Sequence, residues 1–392
     1  MTVEPDHLLV VDDNKVNRML LTHSLEEQGH RVALAVNGRE ALELLRTNPI
    51  DLVLLDIEMP EMDGYQVLSA MKQDRQLRHI PVIMVTAVDE IESAIRCIEM
   101  GAEDYLPKPF NPVLLRARIS ASLDKKHLRD KEQLYLKSLE REMEIGREIQ
   151  AGFLPTELPQ ASGWEIAASL KSAKEVAGDF YDAFYLESEK KICLVIADVC
   201  DKGVGAALFM TLFRSLLRFT IGATDAFGKR SPASRLKYAA TLTNDYIANT
   251  HGDTGMFATI FFGLLDPVEG TLIYINAGHE NPLVVNSNGV CASLKKTGPV
   301  VGIIPNVDFS VQEMQINPGE FLFAYTDGAP DILNPAGIPF GKERLISLLH
   351  NNNTSAETLL ADLNAWLNEY IAEAEQFDDI TFLIIHRLAC SK

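Results

Sequence analysis

The chain lacks any run approaching the ~20 consecutive apolar residues that a membrane span requires. Its first residues, Met1-Thr2-Val3-Glu4-Pro5-Asp6, carry neither a basic nor an apolar segment, so no secretory signal is expected. Cysteine is scarce and dispersed: Cys97, Cys193, Cys200, Cys291 and Cys390 form no Cys-x-x-Cys pair. That pattern argues against a zinc site and fits a reducing cytoplasm. Positive charge is in deficit as well, with 36 basic side chains against 55 acidic ones. The net charge of -19 divides into -8 for residues 1–123, zero for 124–150 and -11 for 151–392. Neither large part has the basic footprint of a nucleic-acid binder. No internal repeat or low-complexity tract is present. With 47% hydrophobic and 23% charged residues the composition is that of a globular protein, and 392 residues suffice for two or three domains.

Apolar runs alternate with helical patterns over residues 1–123. Leu8-Leu9-Val10-Val11 leads into Asp12-Asp13, Leu52–Leu55 into Asp56, Pro81–Val85 into Thr86, and Asp104-Tyr105-Leu106 into Lys108. Runs apolar on both faces, separated by helix-length segments such as Val16–Gln28 and Gly38–Thr47, predict a doubly wound parallel sheet. Residues 113–150 read as one long helix with the stripe Leu115, Ile119, Leu123, Leu128, Tyr135, Leu139, Met143 and Ile149. The part beyond 123 has the balanced charge of an imperfect coiled coil. Pro155 and Pro159 end it. Beyond residue 160 the pattern is α+β. Strands are expected at Ile192–Ala197, Met256–Leu265, Thr271–Ala277, Pro282–Val285, Phe321–Tyr325 and Ile380–Ile385. Helices are expected at Gly205–Ile221, Ser234–Thr250, Lys342–His350 and Ala356–Ala374. The domains are thus expected at 1–123, 124–155 (a helical linker) and 156–392.

Ligands of a parallel sheet bind beyond the carboxyl ends of its strands. The residues there are Asp12, Asp13, Asp56, Thr86 and Lys108. Three converging carboxylates call for a hard cation such as Mg²⁺, with a lysine and a hydroxyl to meet a phosphoryl group accepted by Asp56. Singly each has a plainer reading; Asp13-Asn14 also suits a helix cap. In this order they resemble a response-regulator receiver domain of flavodoxin-like fold. The motifs are Asp12-Asp13, Leu55-Asp56-Ile57-Glu58-Met59-Pro60, Asp63-Gly64, Thr86-Ala87 and Lys108-Pro109-Phe110. The resemblance implies Mg²⁺-dependent phosphorylation of Asp56 by a sensor histidine kinase or phosphotransfer protein. It implies a switch through Thr86 and Tyr105, and a cis Lys108-Pro109 bond.

A second set of carboxylates, Asp179, Asp198, Asp327, Asp378 and Asp379, stands at the ends of apolar runs without accompanying histidine or cysteine. Such a set favours Mg²⁺ or Mn²⁺ over Zn²⁺. Two such ions activate water for in-line displacement without a protein nucleophile. Gly203 and Gly205 would admit close backbone approach to a metal or phosphate. The stretches Ile149–Pro155, Ala177–Asp182, Ala197–Val204, Phe257-Ala258-Thr259, Asn276–His279, Tyr325–Gly328 and Phe377–Thr381 resemble the SpoIIE-type branch of the metal-dependent PP2C-like Ser/Thr phosphatases. That resemblance implies an α-β-β-α sandwich binding two Mn²⁺ or Mg²⁺. Asp198 would bridge both ions, the carbonyl of Val199 would ligate one, and Asp327 and Asp378 would complete the second site. Asp179 would bind directly or through water. Asp379, Gly203 and Gly328 would serve as supporting or phosphate-loop residues. His279 is expected to be a satisfied structural histidine. Ala329-Pro330-Asp331 departs from the family pattern without removing a ligand.

Together the resemblances imply a cytoplasmic two-component regulator whose phosphorylation at Asp56 controls a protein serine/threonine phosphatase. They imply a phosphorylated STAS-type anti-sigma-factor antagonist as substrate in a partner-switching pathway, and a homodimer through the linker. The alternative is a non-catalytic adaptor that binds a partner through the phosphatase-like domain. A DNA-binding output is disfavoured, because Ser234–Thr250 has only Arg235 and Lys237 as basic residues. The sign of regulation, the kinase, and Mn²⁺ against Mg²⁺ stay open.

Overall fold

The computed structural model describes residues 5–87, 91–187, 189–223, 231–349 and 355–389. The chain divides into two compact units, Met1–Leu139 and Glu140–Lys392. The first runs β1 (His7–Val11), α1 (Lys15–Glu27), β2 (Arg31–Ala35), α2 (Gly38–Thr47), β3 (Leu52–Asp56), α3 (Gly64–Gln73), β4 (Val82–Ala87), α4 (Ile91–Glu99) and β5 (Asp104–Lys108), then enters α5 (Pro112–Ala151). Its sheet is parallel throughout, in the order β2-β1-β3-β4-β5. The unbroken apolar runs follow from burial on both faces. Leu8, Val10, Leu52 and Leu54 pack with Leu21, Leu115 and Ile119 on one side; Leu9, Val11, Val53 and Leu55 pack with Ala41, Val67 and Cys97 on the other. Helix starts are set by local side chains. Asn14, not Asp13, accepts from the Val16 N–H, and Asp63 forms a capping box with Gln66.

Helix α5 extends for 40 residues. Leu115, Ile119 and Leu123 are buried, whereas Leu128, Leu134, Tyr135, Leu139, Ile145 and Ile149 are exposed. The stripe read from the sequence thus changes character after Leu123.

The second unit continues with β6 (Trp164–Lys171), β7 (Phe180–Leu186), β8 (Lys191–Val199), α6 (Val204–Ala223), α7 (Pro232–His251), β9 (Ala258–Leu265) and β10 (Thr271–Ala277). It ends with β11 (Leu283–Asn286), β12 (Gly289–Ser293), β13 (Gln312–Gln315), β14 (Phe321–Tyr325), α8 (Gly328–Asp331), α9 (Lys342–Leu348), α10 (Ala356–Ile371) and β15 (Ile380–Arg387). Two antiparallel sheets form, β13-β10-β9-β8-β7 and β12-β11-β14-β15-β6. Ile192, Ile196 and Phe261 meet Leu322, Ala324 and Leu383 between them. Helices α6 and α7 cover the outer face of the first sheet, and α9 and α10 that of the second. This is the expected α-β-β-α sandwich.

Four strands have no counterpart among the apolar runs. β12 and β13 are short edges with mostly solvated side chains, β6 is a half-buried edge, and β7 interrupts its apolar pattern with the buried Asp182. Helix α6 has 20 residues and is long and apolar enough by composition to cross a membrane, although Arg214 and Arg218 interrupt its apolar run. Here Ala206, Met210, Phe213, Leu217 and Ile221 of that helix are buried in the core. Arg214 and Arg218 lie 3.1 and 3.0 Å from Asp182 Oδ2. Among the described cysteines, Cys97 and Cys193 are buried, Cys200 is half-buried and Cys291 exposed; all four are free. Cys390 and the end of the helix expected to reach His350 lie outside the described residues.

Candidate functional site

In the first unit the carboxyl ends of β1, β3, β4 and β5 deliver Asp12, Asp13, Asp56, Thr86 and Lys108 to one crevice. One oxygen from each of Asp12, Asp13 and Asp56 lies within 4.8 Å of the others. Asp12, Asp56 and Thr86 are buried, while Asp13 is exposed and leaves a water-accessible side. The ammonium of Lys108 lies 2.7 Å from Asp56 Oδ2 and 3.0 Å from Asp12 Oδ2, and the Lys108-Pro109 bond is cis. Burial raises the Asp56 carboxyl to about 6; Lys108 opposes that shift and the Asp12 charge adds to it. One lysine against three carboxylates leaves negative charge over, and an all-oxygen set with a wet side fits Mg²⁺. Tyr105 is half-buried, with the guanidinium of Arg118 5.0 Å from its ring centroid. Asn17 and Arg18 have no part in the sequence reading. Asn17 Nδ2 donates to the Asp12 carboxylate at 3.1 and 3.3 Å, and Arg18 donates to the Asp12 carbonyl at 2.6 Å.

In the second unit one end of the sandwich gathers the other carboxylates. Asp179 precedes β7, and Asp198 is the penultimate residue of β8, one strand over. Asp327 follows β14, while Asp378 and Asp379 precede its neighbour β15. Their charges act on one another. Asp198 is raised to about 7 by burial and then by Asp327, Asp378 and Asp379. Asp179 is raised well above the usual carboxylate range by burial and then by Asp198 and Asp379, although Thr381 Oγ1 donates to it at 2.7 Å. Asp327 is raised by partial burial, then by Asp378, Asp331 and Glu280. Lys202 is a cation opposed to them, 3.0 Å from Asp378 Oδ2 and donating to the Phe377 carbonyl. Among the described residues, no three of these carboxylates bring an oxygen each within 4.8 Å of one another. The side chains therefore do not form a closed single-ion cage. What they share is a negative field of hard oxygen donors that Lys202 compensates only in part, which fits divalent cations.

Asp379 differs from the rest. Its two oxygens accept from the backbone N–H groups of Ala173 at 2.7 Å and Gly178 at 2.6 Å, with Asp179 N at 3.4 Å. Gly328 is squeezed by the same segment, since an added Cβ would overlap the Asp379 carbonyl. Gly203 takes the left-handed φ of 82° just ahead of α6. Val199 closes β8 opposite Ala258. Pro330 is buried within the one-turn α8, and the N–H of Asp331 donates to the Asp327 carbonyl at 3.1 Å. His279 is satisfied at one nitrogen only. Nδ1 lies 2.9 Å from Thr259 Oγ1, Nε2 makes no hydrogen bond, and burial pushes the ring down to about 4. Lys202, Thr381 and Gln150 lay within the matching stretches, yet nothing in their spacing gave them a part.

The profile of the family described as Stage II sporulation protein E (SpoIIE) matches residues 188–388, and that of the response regulator receiver domain matches residues 8–120. The chain belongs to the SpoIIE family of PP2C-type phosphatase domains and carries an N-terminal response-regulator receiver domain. It is 45% identical over 263 residues to Protein IcfG of Synechocystis sp., covering 63% of this chain and 41% of that protein. The receiver is 43% identical over 126 residues to the transcriptional regulatory protein CpxR of Escherichia coli, covering 32% of this chain and 53% of CpxR. The chain thus spans about half or less of the length of these curated relatives. The SiaA-PP2C domain of Pseudomonas aeruginosa aligns with a TM-score of 0.54 at 22% identity, over 65% of this chain and 98% of that one, a likeness of fold.

Proposed function

We propose that this chain is a phosphorylation-controlled protein serine/threonine phosphatase acting in the cytoplasm. The observation that carries the reading is the set of mutually destabilising carboxylates around Asp198 at one end of the sandwich. Asp198, the Val199 carbonyl, Asp327 and Asp378 would hold two Mn²⁺ or Mg²⁺, with Asp179 binding directly or through water. When bound, the ions supply an activated water and a clamp on the phosphoryl oxygens. Asp379 spends its oxygens on the backbone of the Asp179 segment, so its part is to hold that segment in place. Gly203 keeps the approach to α6 free of a side chain. Retention of all five carboxylates speaks against a domain that only binds a partner.

In the receiver, Asp56 accepts the phosphoryl group from a histidine kinase or phosphotransfer protein. Lys108 meets the transferred charge, and Thr86 and Tyr105 carry the change outward. The substrate is a phosphoserine or phosphothreonine of a STAS-type antagonist, as the resemblance implies. The exposed apolar residues of α5 from Leu128 to Ile149 support dimerisation through that helix. The test is phosphate release from such a phosphoprotein with Mn²⁺ or Mg²⁺, by wild type and Asp198→Asn, with and without Asp56 phosphorylation. Metal-dependent release lost in Asp198→Asn is expected. A phosphoprotein that binds but is never hydrolysed under either metal would overturn the reading.

A further inference from the structure

Asn244 of α7 is fully buried, and its side chain serves a distant loop. Oδ1 accepts from the Gly302 N–H at 2.9 Å, and Nδ2 donates to the Ile304 carbonyl at 2.8 Å. The neighbouring Asp245 accepts from the Asn306 N–H at 2.7 Å. Gly302 takes the left-handed φ of 107°, and a Cβ there would stand 2.8 Å from Ile247. The loop is thus pinned at three backbone groups, yet the side chains it carries, Ile303 and Ile304, are 51% and 57% exposed. Aliphatic side chains gain by leaving water, so a loop fixed in place with two isoleucines in solvent forgoes that gain. Phe377 repeats the pattern. Gln376 Nε2 beside it donates to the Lys171 carbonyl at 3.0 Å and to the Asp378 carbonyl at 2.7 Å, and the Phe377 carbonyl accepts from Lys202. Phe377 itself is 61% exposed.

Both loops border the carboxylate site. Phe377 adjoins Asp378 in the chain. Val301 exchanges both backbone bonds with Ala258, the β9 residue that stands opposite Val199. The Ile303-Ile304 loop therefore starts two strand spacings, about 10 Å, from the strand end that carries Asp198. Val204 and Leu208, in the first two turns of α6 and entered from Lys202, are exposed as well. A phosphoryl group held by the carboxylates' metal ions has to be carried by a molecule that lies over these side chains. They come from three segments and spread wider than one small molecule reaches, so a protein surface fits them. Charge offers such a protein little. Residues 151–392 carry -11, and Lys202 is tied to Asp378. We propose that Ile303, Ile304, Phe377, Val204 and Leu208 form an apolar docking rim for a folded protein that presents an apolar surface beside its phosphorylated residue. This deepens, and rests on, the proposed phosphatase reading, because it states how a protein substrate is told from other phosphomonoesters. Loops pinned in advance lose little freedom when the partner binds, which is why their backbone is held while their side chains are not.

The test uses the full-length protein with Mn²⁺ and three probes: a phosphorylated STAS-domain protein, a short phosphopeptide carrying the same site, and p-nitrophenyl phosphate. Wild type should favour the protein over its own peptide by about a hundredfold in kcat/KM, the yield of two well-buried anchors at roughly tenfold each. In the double variant Ile303→Ser/Ile304→Ser, the ratio of kcat/KM for the protein to that for p-nitrophenyl phosphate should fall about tenfold, through KM rather than kcat. Phe377→Ser should move the ratio the same way. Val268→Ser should leave it alone, because that residue, equally apolar and more exposed, sits on the β9–β10 hairpin at the far end of the sheet. Should the double variant lose its cooperative unfolding, Phe377→Ser, in a separate loop, carries the comparison. The second readout is calorimetric binding of the phosphoprotein to Asp198→Asn, which should weaken about tenfold when Ile303→Ser/Ile304→Ser is added. A phosphoprotein hydrolysed no faster than its peptide, or a ratio that survives the loop substitutions, would overturn the docking rim. If the phosphoprotein binds but nothing is hydrolysed, the phosphatase reading falls, and the binding measurement still decides whether the rim holds the partner. Absence of both hydrolysis and binding overturns both.

Discussion

Replacing Asp198 by asparagine should stabilise the metal-free protein at pH 8 and abolish the proposed metal-dependent hydrolysis. The Asp198 carboxyl is raised from 3.8 to about 7 by burial and by Asp327, Asp378 and Asp379. At ~1.4 kcal/mol per pKa unit, the ionised group opposes folding by as much as about 4 kcal/mol. The unfolded carboxyl ionises above pH 3.8, whereas the folded one keeps its proton until about 7. The stabilisation present below the unfolded pKa is therefore lost as pH rises through the folded pKa. Roughly two of those pKa units fall between pH 5 and pH 8, a loss of about 2–3 kcal/mol. Asparagine has the shape of the protonated acid and does not titrate. Urea unfolding in the presence of a chelator, run on both proteins at both pH values, isolates this site: titrations elsewhere cancel in the difference, and Asp179, itself raised by burial and then by Asp198, shifts in the same direction. The variant should gain about 2–3 kcal/mol relative to wild type on going from pH 5 to pH 8. For a unit of this size that is roughly 5–10 °C in Tm. Mn²⁺ should recover stability at pH 8 in wild type and much less in the variant, since a ligand stabilises only the state that binds it. A difference between the two proteins that stays constant from pH 5 to pH 8 would refute the electrostatic reasoning.

Asp56→Asn should take no label from acetyl phosphate on phosphate-affinity gels and should fix the phosphatase rate at one value with or without phosphodonor. Asp182→Ala should cost about 3 kcal/mol in urea unfolding, because it leaves Arg214 without its 3.1 Å carboxylate partner under α6. Only a marginal change would mean the pair is replaceable by solvent. Gly328→Ala should lower activity and Tm together, since its methyl group meets the Asp379 carbonyl and nothing there can yield without displacing the Asp179 segment. His279, held down to about 4 by burial, binds its proton more readily unfolded. Its contribution should make stability rise with pH between about 4 and 6.5, and that rise should appear in the wild-type-minus-His279→Gln difference in unfolding free energy, because glutamine does not titrate.

The sequence alone was enough for the receiver. Its strands are buried on both faces, so they read as unbroken apolar runs, and a parallel sheet puts the polar residue after each run into one crevice. Asp12, Asp56, Thr86 and Lys108 were legible for that topological reason. In the second unit the central strands β8, β9, β14 and β15 were visible, and with them Asp198 and Asp327. The edges β6, β12 and β13 were not, because a strand with one solvated face and one free edge needs no apolar continuity. Asp182 concealed β7, since a buried charge reads as surface until its two arginines, 32 and 36 residues away, fold over it.

What only the tertiary structure decided are the relations between residues distant in sequence. Asp379 could be placed at the site from its motif, but its two oxygens are spent on N–H groups about two hundred residues earlier. Lys202 faces Asp378 across the loop that opens α6. Gln150 lies in a stretch that matches the resembled family, but its spacing shows nothing beyond a polar residue near the end of a charged helix. Periodicity reports which face of an element is buried. It does not report which backbone group that face meets, and at this site the meeting of Gln150 with Ala177 follows only once the helix end and the Asp179 segment have packed together.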